Sequence, residues 1–336
     1  MLSLTAGLHV NGQGQQAAAP TPQVELKQSE NGLNVARAKE SFSSLSLEGS
    51  DLQAAPPLPG GTAKTADFTR ELVRVQWRPN DPIDLYVIRP LTVNNPPVVL
   101  YLYSFPTDTD RFRDDRYCQR LVQNGAAAVG FVSALTGQRI RGNRPLKEWF
   151  ISELPESLAT TVHDVQMIVN YLDTRGDMDM TRVGMFGQGS GAAIAVLAAA
   201  ADPRLKALDL FNPWGDWPDW LATSSVAPKE ERDRYLKPDF LKPLEHLEPT
   251  RFLGGLKSRP IRIQFVDNEI KDTKEAAAKI EAAAPATAKT IHYPNGRAMY
   301  AVSSDGRLFE WIATALKSGT ETKEPAAKTA SRVTAK

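Results

Sequence analysis

The glycines of "GQGSG" at 187–191 are the residues most suggestive of chemistry, and two patterns overlap there. Read as G-x-S-x-G, the stretch is a sharp strand-to-helix turn that should present a nucleophilic serine, but its centre is Gly189 and carries no hydroxyl. Read as G-x-G-x-x-A, the same residues are the turn that lets a dinucleotide pyrophosphate approach a helix N-terminus. Asp209 then stands about twenty residues on, where a ribose-binding acid belongs. Ser190, one residue late for the first pattern, reads more simply as a helix-start or packing residue than as a substitute nucleophile.

The remaining candidates exclude several classes of function. The four histidines, His9, His163, His246 and His292, lie at no metal-ligand spacing with another histidine, cysteine or carboxylate, so no metal site is expected. The one cysteine, Cys118, excludes an intrachain disulfide and reads as a buried thiol in a helix. A net charge of +1, with no basic run interleaved with aromatics, predicts no nucleic-acid partner. No apolar run is long enough to span a bilayer. "MLSLTAGLHV" and the A-x-A-like "QQAAAP" point to export, with cytoplasm as the alternative because a basic leader segment is missing.

The elements around the glycine turn alternate in a readable way. "TRELVRVQW" and "IDLYVIRP" predict an antiparallel pair, and "PPVVLYLY" at 96–103 is a continuous apolar run, the mark of a strand covered on both faces. Strands follow at 126–132, 182–186, 207–211, 261–266 and 289–293. Helices are expected over 112–124, 156–173, directly after the glycines, and over 273–284 and 305–316. Antiparallel strands first and strand–helix units afterwards predict an α/β fold: a mostly parallel sheet with helices on both faces. Residues 1–66 are rich in Gln, Ala, Ser, Pro and Gly and read as a disordered lead, possible leader remnant included. The core domain is expected over 67–316 and a disordered tail over 317–336.

This order resembles the α/β-hydrolase superfamily (serine esterases, dienelactone hydrolases and related peptidases) over roughly 68–316. The likeness is carried by the strand–"GQGSG"–helix turn, the preceding "HDVQMIVNYLDTRGDMDMTRVGMFG" and the following "AAADPRLKALDLF". The resemblance implies a nucleophile elbow with Gly187 and Gly191 as its flanking glycines and Gly189 in the nucleophile's place. It implies an oxyanion hole from the Ser190 N–H and a donor near Ser104 or Phe105. The catalytic acid then falls at Glu269 in "PIRIQFVDNE", and the base position in "YPNGRAMY" at Arg297. Glycine cannot attack, and arginine stays protonated near neutral pH, so a Ser–His–acid triad is incomplete at two positions.

Such a site could still bind. A helical cap insertion over 212–259 opens with "NPWGDWPDWLATSS", and Trp214, Trp217 and Trp220, spaced by three, would wall an apolar pocket over the turn. Arg297 would add a positive charge suited to a small carboxylate or ester-like ligand. The expectation is a binding protein without a cofactor. A hydrolase of unusual mechanism, using Ser190 or a bound water, and a dinucleotide enzyme remain the alternatives.

Overall fold

The computed structural model describes residues 40–318 except 80, 106, 137–138 and 140–150. The expected leader at 1–19, most of the basic stretch 138–147 and the tail from 319 lie outside the described residues. Among the described residues nine strands make one sheet in the order β1-β2-β3-β5-β4-β6-β7-β8-β9. They are β1 (Leu58–Lys64), β2 (Phe68–Val75), β3 (Ile83–Pro90), β4 (Pro97–Leu102), β5 (Ala127–Phe131), β6 (Asp179–Gln188), β7 (Leu205–Phe211), β8 (Ile261–Val266) and β9 (Lys289–Tyr293). The first three pair antiparallel, β3 joins β5 antiparallel, and every later pair is parallel.

The principal helices are α1 (Asp115–Val122), α2 (Leu154–Asp173), α3 (Ser190–Ala201), α4 (Trp217–Thr223), α5 (Lys274–Ala283), α6 (Gly296–Ser303) and α7 (Arg307–Ser318). Strand β4 explains why both faces need helices. Val98, Leu100 and Leu102 join the apolar cluster under α2 and α3, while Val99 and Tyr101 join the cluster under α1 and α7. A strand buried on both faces reads as a continuous apolar run because neither side meets water. Helix α3 is buried along Ser190–Ala199, and its alanines let the helix backbone lie close to β6 and β7. The chain steps from β4 outward to β5 and returns past β4 to β6. Connections leaving β4 and β6 therefore diverge at their carboxyl ends, which opens a crevice there.

One expectation is corrected. The lead assigned to 1–66 is folded from residue 40 onward. Strand β1, "LPGGTAK", adds an antiparallel edge to β2, and Leu45, Leu47 and Leu52 pack on the core. The strap over 40–52 is also held by polar bonds. Glu40 pairs with Arg78 and with His163 Nδ1 (2.7 Å), and Gln166 Nε2 donates to Leu45 O (2.7 Å). Composition conceals such a segment because an edge strand needs only backbone partners, and the strap's stabilising groups lie on distant elements.

Candidate functional site

Strand β6 ends and α3 begins at Gly189, whose φ of 56° and ψ of −116° lie outside the regions that side chains favour. The flanking glycines are required by close approach. A Cβ on Gly187 would lie 2.6 Å from Ala192 Cα, and one on Gly191 would lie 2.8 Å from the Leu102 carbonyl carbon. The turn is therefore wedged between its own helix and the end of β4. Gly189 N–H donates to Phe211 O (2.9 Å), and its carbonyl accepts from Ala192, Ala193 and Trp214 N–H groups. The elbow is thus tied to β7 and to the segment that leaves it.

Ser104, just past β4, fills the space next to Gly189. A Cβ at 189 would press on the Ser104 hydroxyl, 2.7 Å from Ser104 Cβ and 3.1 Å from Trp214 Nε1. A neighbouring serine thus occupies the volume in which a side chain at the elbow would begin. Ser190 does not face the same way. Its side chain is buried, and its hydroxyl oxygen accepts from the Phe105 N–H (3.1 Å). That bond locks the β4 loop to α3 and engages the Phe105 donor expected for an oxyanion hole. Phe105 itself packs on the core.

A cavity of about 200 Å³ lies over the turn, at the carboxyl ends of β6, β7 and β8. Ser104, Gln188, Gly189, Asn212, Trp214, Trp220 and Glu269 border it. Trp214 and Trp220 lie with ring centroids 4.3 Å apart and planes inclined by 34°. Trp217, the other expected wall, points into the core instead; it is buried and donates to Leu247 O (2.8 Å). Glu248 determines this arrangement by accepting from the Asp216 and Trp217 N–H groups (2.8 and 3.0 Å), which fixes the start of α4. Trp217 and Trp220, three residues apart on α4, are in ring contact with centroids 6.0 Å apart, yet only Trp220 borders the cavity.

Glu269, the acid position, is at the cavity mouth, exposed and held by Asn212 Nδ2 (2.8 Å). Its other oxygen lies 3.3 Å from where a Cβ on Gly296 would sit, so the acid and base positions do adjoin. Arg297 is a correction. The segment expected as a loop is helix α6, capped by the Asn295 side chain, and Arg297 on it is exposed and does not border the cavity. No histidine, lysine or arginine borders the cavity among the described residues.

The other titratable candidates hold the fold. His163 is buried between Glu40 and Ser44 O (2.8 Å). His246 contacts Phe42 O (2.6 Å). His292 pairs with Asp267 (2.8 Å) on β9, and that hydrogen bond raises its pKa above the usual histidine value. Asp209, the ribose acid of the dinucleotide reading, is buried within β7 and bonded to Arg262 (2.6 Å) and Gln264 (2.8 Å). Burial pushes its carboxyl up, and these partners pull against that rise. A carboxylate committed to a neighbouring strand is not offered to a ribose. Burial likewise raises the Cys118 thiol, which keeps it unreactive. Arg139, from the basic stretch 138–147, is buried against Asp81 and Asp164. Among the described residues no His, Cys, Asp and Glu group could hold a metal ion, and no helix is long and apolar enough to cross a membrane.

No protein-family model and no curated protein sequence matches the chain. Solved structures do. Acetyl xylan esterase 1 from Thermoanaerobacterium sp. JW/SL YS485 superposes with a TM-score of 0.60 at 13% identity, covering 83% of this chain and 98% of that one. An S-formylglutathione hydrolase from Agrobacterium tumefaciens gives a TM-score of 0.57 at 14% identity, covering 77% of this chain and 99% of that one. The acylaminoacyl peptidase of Pyrococcus horikoshii gives 0.56 at 12% identity, covering 80% of this chain and 44% of that one. Identities this low speak for architecture alone. With its strand order, its elbow after β6 and these neighbours, the chain adopts the α/β-hydrolase fold.

Proposed function

We propose that this chain uses the α/β-hydrolase scaffold to bind a small molecule without forming an acyl-enzyme. The observation that carries the reading is the filling of the elbow. Residue 189 has no side chain, and the space where one would start is taken by Ser104. The absence of a histidine around the cavity, among the described residues, supports it from a second direction. Serine becomes a nucleophile when a base removes its proton, and removing a member of a Ser–His pair costs on the order of a millionfold in turnover. Ser190 offers little substitute, since its hydroxyl is buried and engaged by Phe105.

What remains is a recess with one indole-bearing wall, helix-start N–H groups below, and Ser104, Gln188, Asn212, Glu269 and Asp272 around it. Such a recess favours a compact ligand with an acceptor oxygen at one end. The alternative, an ester or peptide hydrolase working through Ser190 or a bound water, draws its support from the esterase and peptidase among the structural neighbours. A fluorophosphonate probe and an ester panel separate the two. No labelling and no turnover above the buffer rate are expected. Labelling that vanishes in Ser190→Ala, or saturable ester cleavage, would overturn the binding reading.

A further inference from the structure

We propose that the elbow cavity selects a small organic cation carrying a hydroxyl or carbonyl oxygen. The proposal rests on the binding reading above and names the ligand class for it. Glu269 and Asp272 border the cavity, whereas no lysine, arginine or histidine does among the described residues. Lys271 and Lys274 flank lining residues in sequence but do not border the cavity, and Lys279 on α5 is committed to Asp216 (2.6 Å) and Asp219 (2.5 Å). Arg297, which would have favoured an anion, is exposed on α6 and outside the lining.

The aromatic wall points the same way. Trp214 and Trp220 both border the cavity with ring centroids 4.3 Å apart; Trp220 is buried, and Trp214 is the more exposed indole, whose face attracts a cation through its quadrupole. A cation with an attached oxygen satisfies both ends of the recess. Its charged head meets the indoles and the two carboxylates, while the oxygen meets the donors of Asn212, Gln188 or the turn. A cavity of about 200 Å³ limits the ligand to a few heavy atoms, about the size of a substituted ethanolamine.

The test is an isosteric series read by indole fluorescence and calorimetry: choline, its uncharged carbon analogue dimethylbutanol, and the tert-butylacetate anion. Each has the same branched head. Choline is expected to bind about tenfold tighter than the alcohol, because two exposed carboxylates each contribute a few-fold at contact distances in a high dielectric. The anion should be the weakest. The gap should close in Glu269→Gln/Asp272→Asn, an exchange of exposed groups that preserves shape, and shrink at about 0.5 M salt, where the Debye length is only a few ångströms. Trp220→Ala should weaken all three probes, which places them in the cavity.

Equal binding of choline and the alcohol, or a gap that survives the double variant, overturns the charge selection and leaves the pocket reading standing. Probes that bind the Trp220→Ala variant unchanged occupy another site and overturn the proposal. Failure of all three probes to bind overturns the cation proposal, and the fluorophosphonate and ester tests then decide the binding reading by themselves.

Discussion

Replacing Gly189 by alanine tests the filled elbow directly. At φ 56° and ψ −116° the backbone occupies a region costly to any side chain, and strain of this kind amounts to about 1–3 kcal/mol. The new Cβ would also meet Ser104 Cβ at 2.7 Å, and overpacking of a tight site adds about 1–3 kcal/mol. Together these predict a destabilisation of about 2–6 kcal/mol, a large share of the ~5–15 kcal/mol that holds a typical domain together. The two parts separate by a double-mutant cycle. Ser104→Gly removes the clash and leaves the backbone strain, so Gly189→Ala should cost about 1–3 kcal/mol less in that background. Urea unfolding, followed by tryptophan emission, measures all four corners. A Gly189→Ala cost below about 0.5 kcal/mol, or no coupling to Ser104, would refute the claim that Ser104 occupies the side-chain volume of the elbow.

Three further outcomes follow from the structure. Asp164 is buried and bonded to Trp77 Nε1 (2.9 Å), Arg139 and Arg78; Asp164→Asn leaves Arg78 with Glu40 and Arg139 with Asp81 but weakens their charged bonds, and should cost about 1.5–3 kcal/mol in denaturant unfolding. Acid should release the strap. Burial raises the Glu40 and Asp164 carboxyls, but their arginine partners outweigh it and hold both below the ordinary range. Depressed values stabilise the fold above the unfolded-state values near pH 4, and that contribution is lost as pH falls through the folded ones. Hydrogen exchange at residues 44–52, corrected for intrinsic rates, should accelerate below about pH 4, and unchanged protection at pH 3 would contradict this. Ser190→Ala removes the acceptor of the Phe105 N–H and should cost about 1 kcal/mol in urea unfolding; an unchanged midpoint would argue against that bond.

Much of the architecture was legible in the chain. The apolar run at 97–102, the antiparallel pair before it and the strands at 261–266 and 289–293 lie where periodicity puts them, because burial on one or both faces writes itself into residue type. The elbow was legible for a related reason: Gly187 and Gly191 are demanded by backbone contact, which leaves no alternative residue. Strand β1 and the strap were not legible. Strand β1 is small and polar and is held by backbone pairing to β2, while the strap is held by partners more than a hundred residues away, His163 and Gln166.

The site divides along the same line. Residue types alone determined that no hydroxyl stands at 189 and no imidazole at 297, since those are facts of identity. Tertiary structure decided which side chains share the cavity. It sent Trp217 into the core and Trp220 to the wall, turned Arg297 outward on a helix, and brought Ser104 from β4 against the elbow of β6. Spacing along one element fixes direction only within that element. Which groups meet across a crevice depends on sheet order and on remote anchors such as Glu248, and those exist only once the chain has closed on itself.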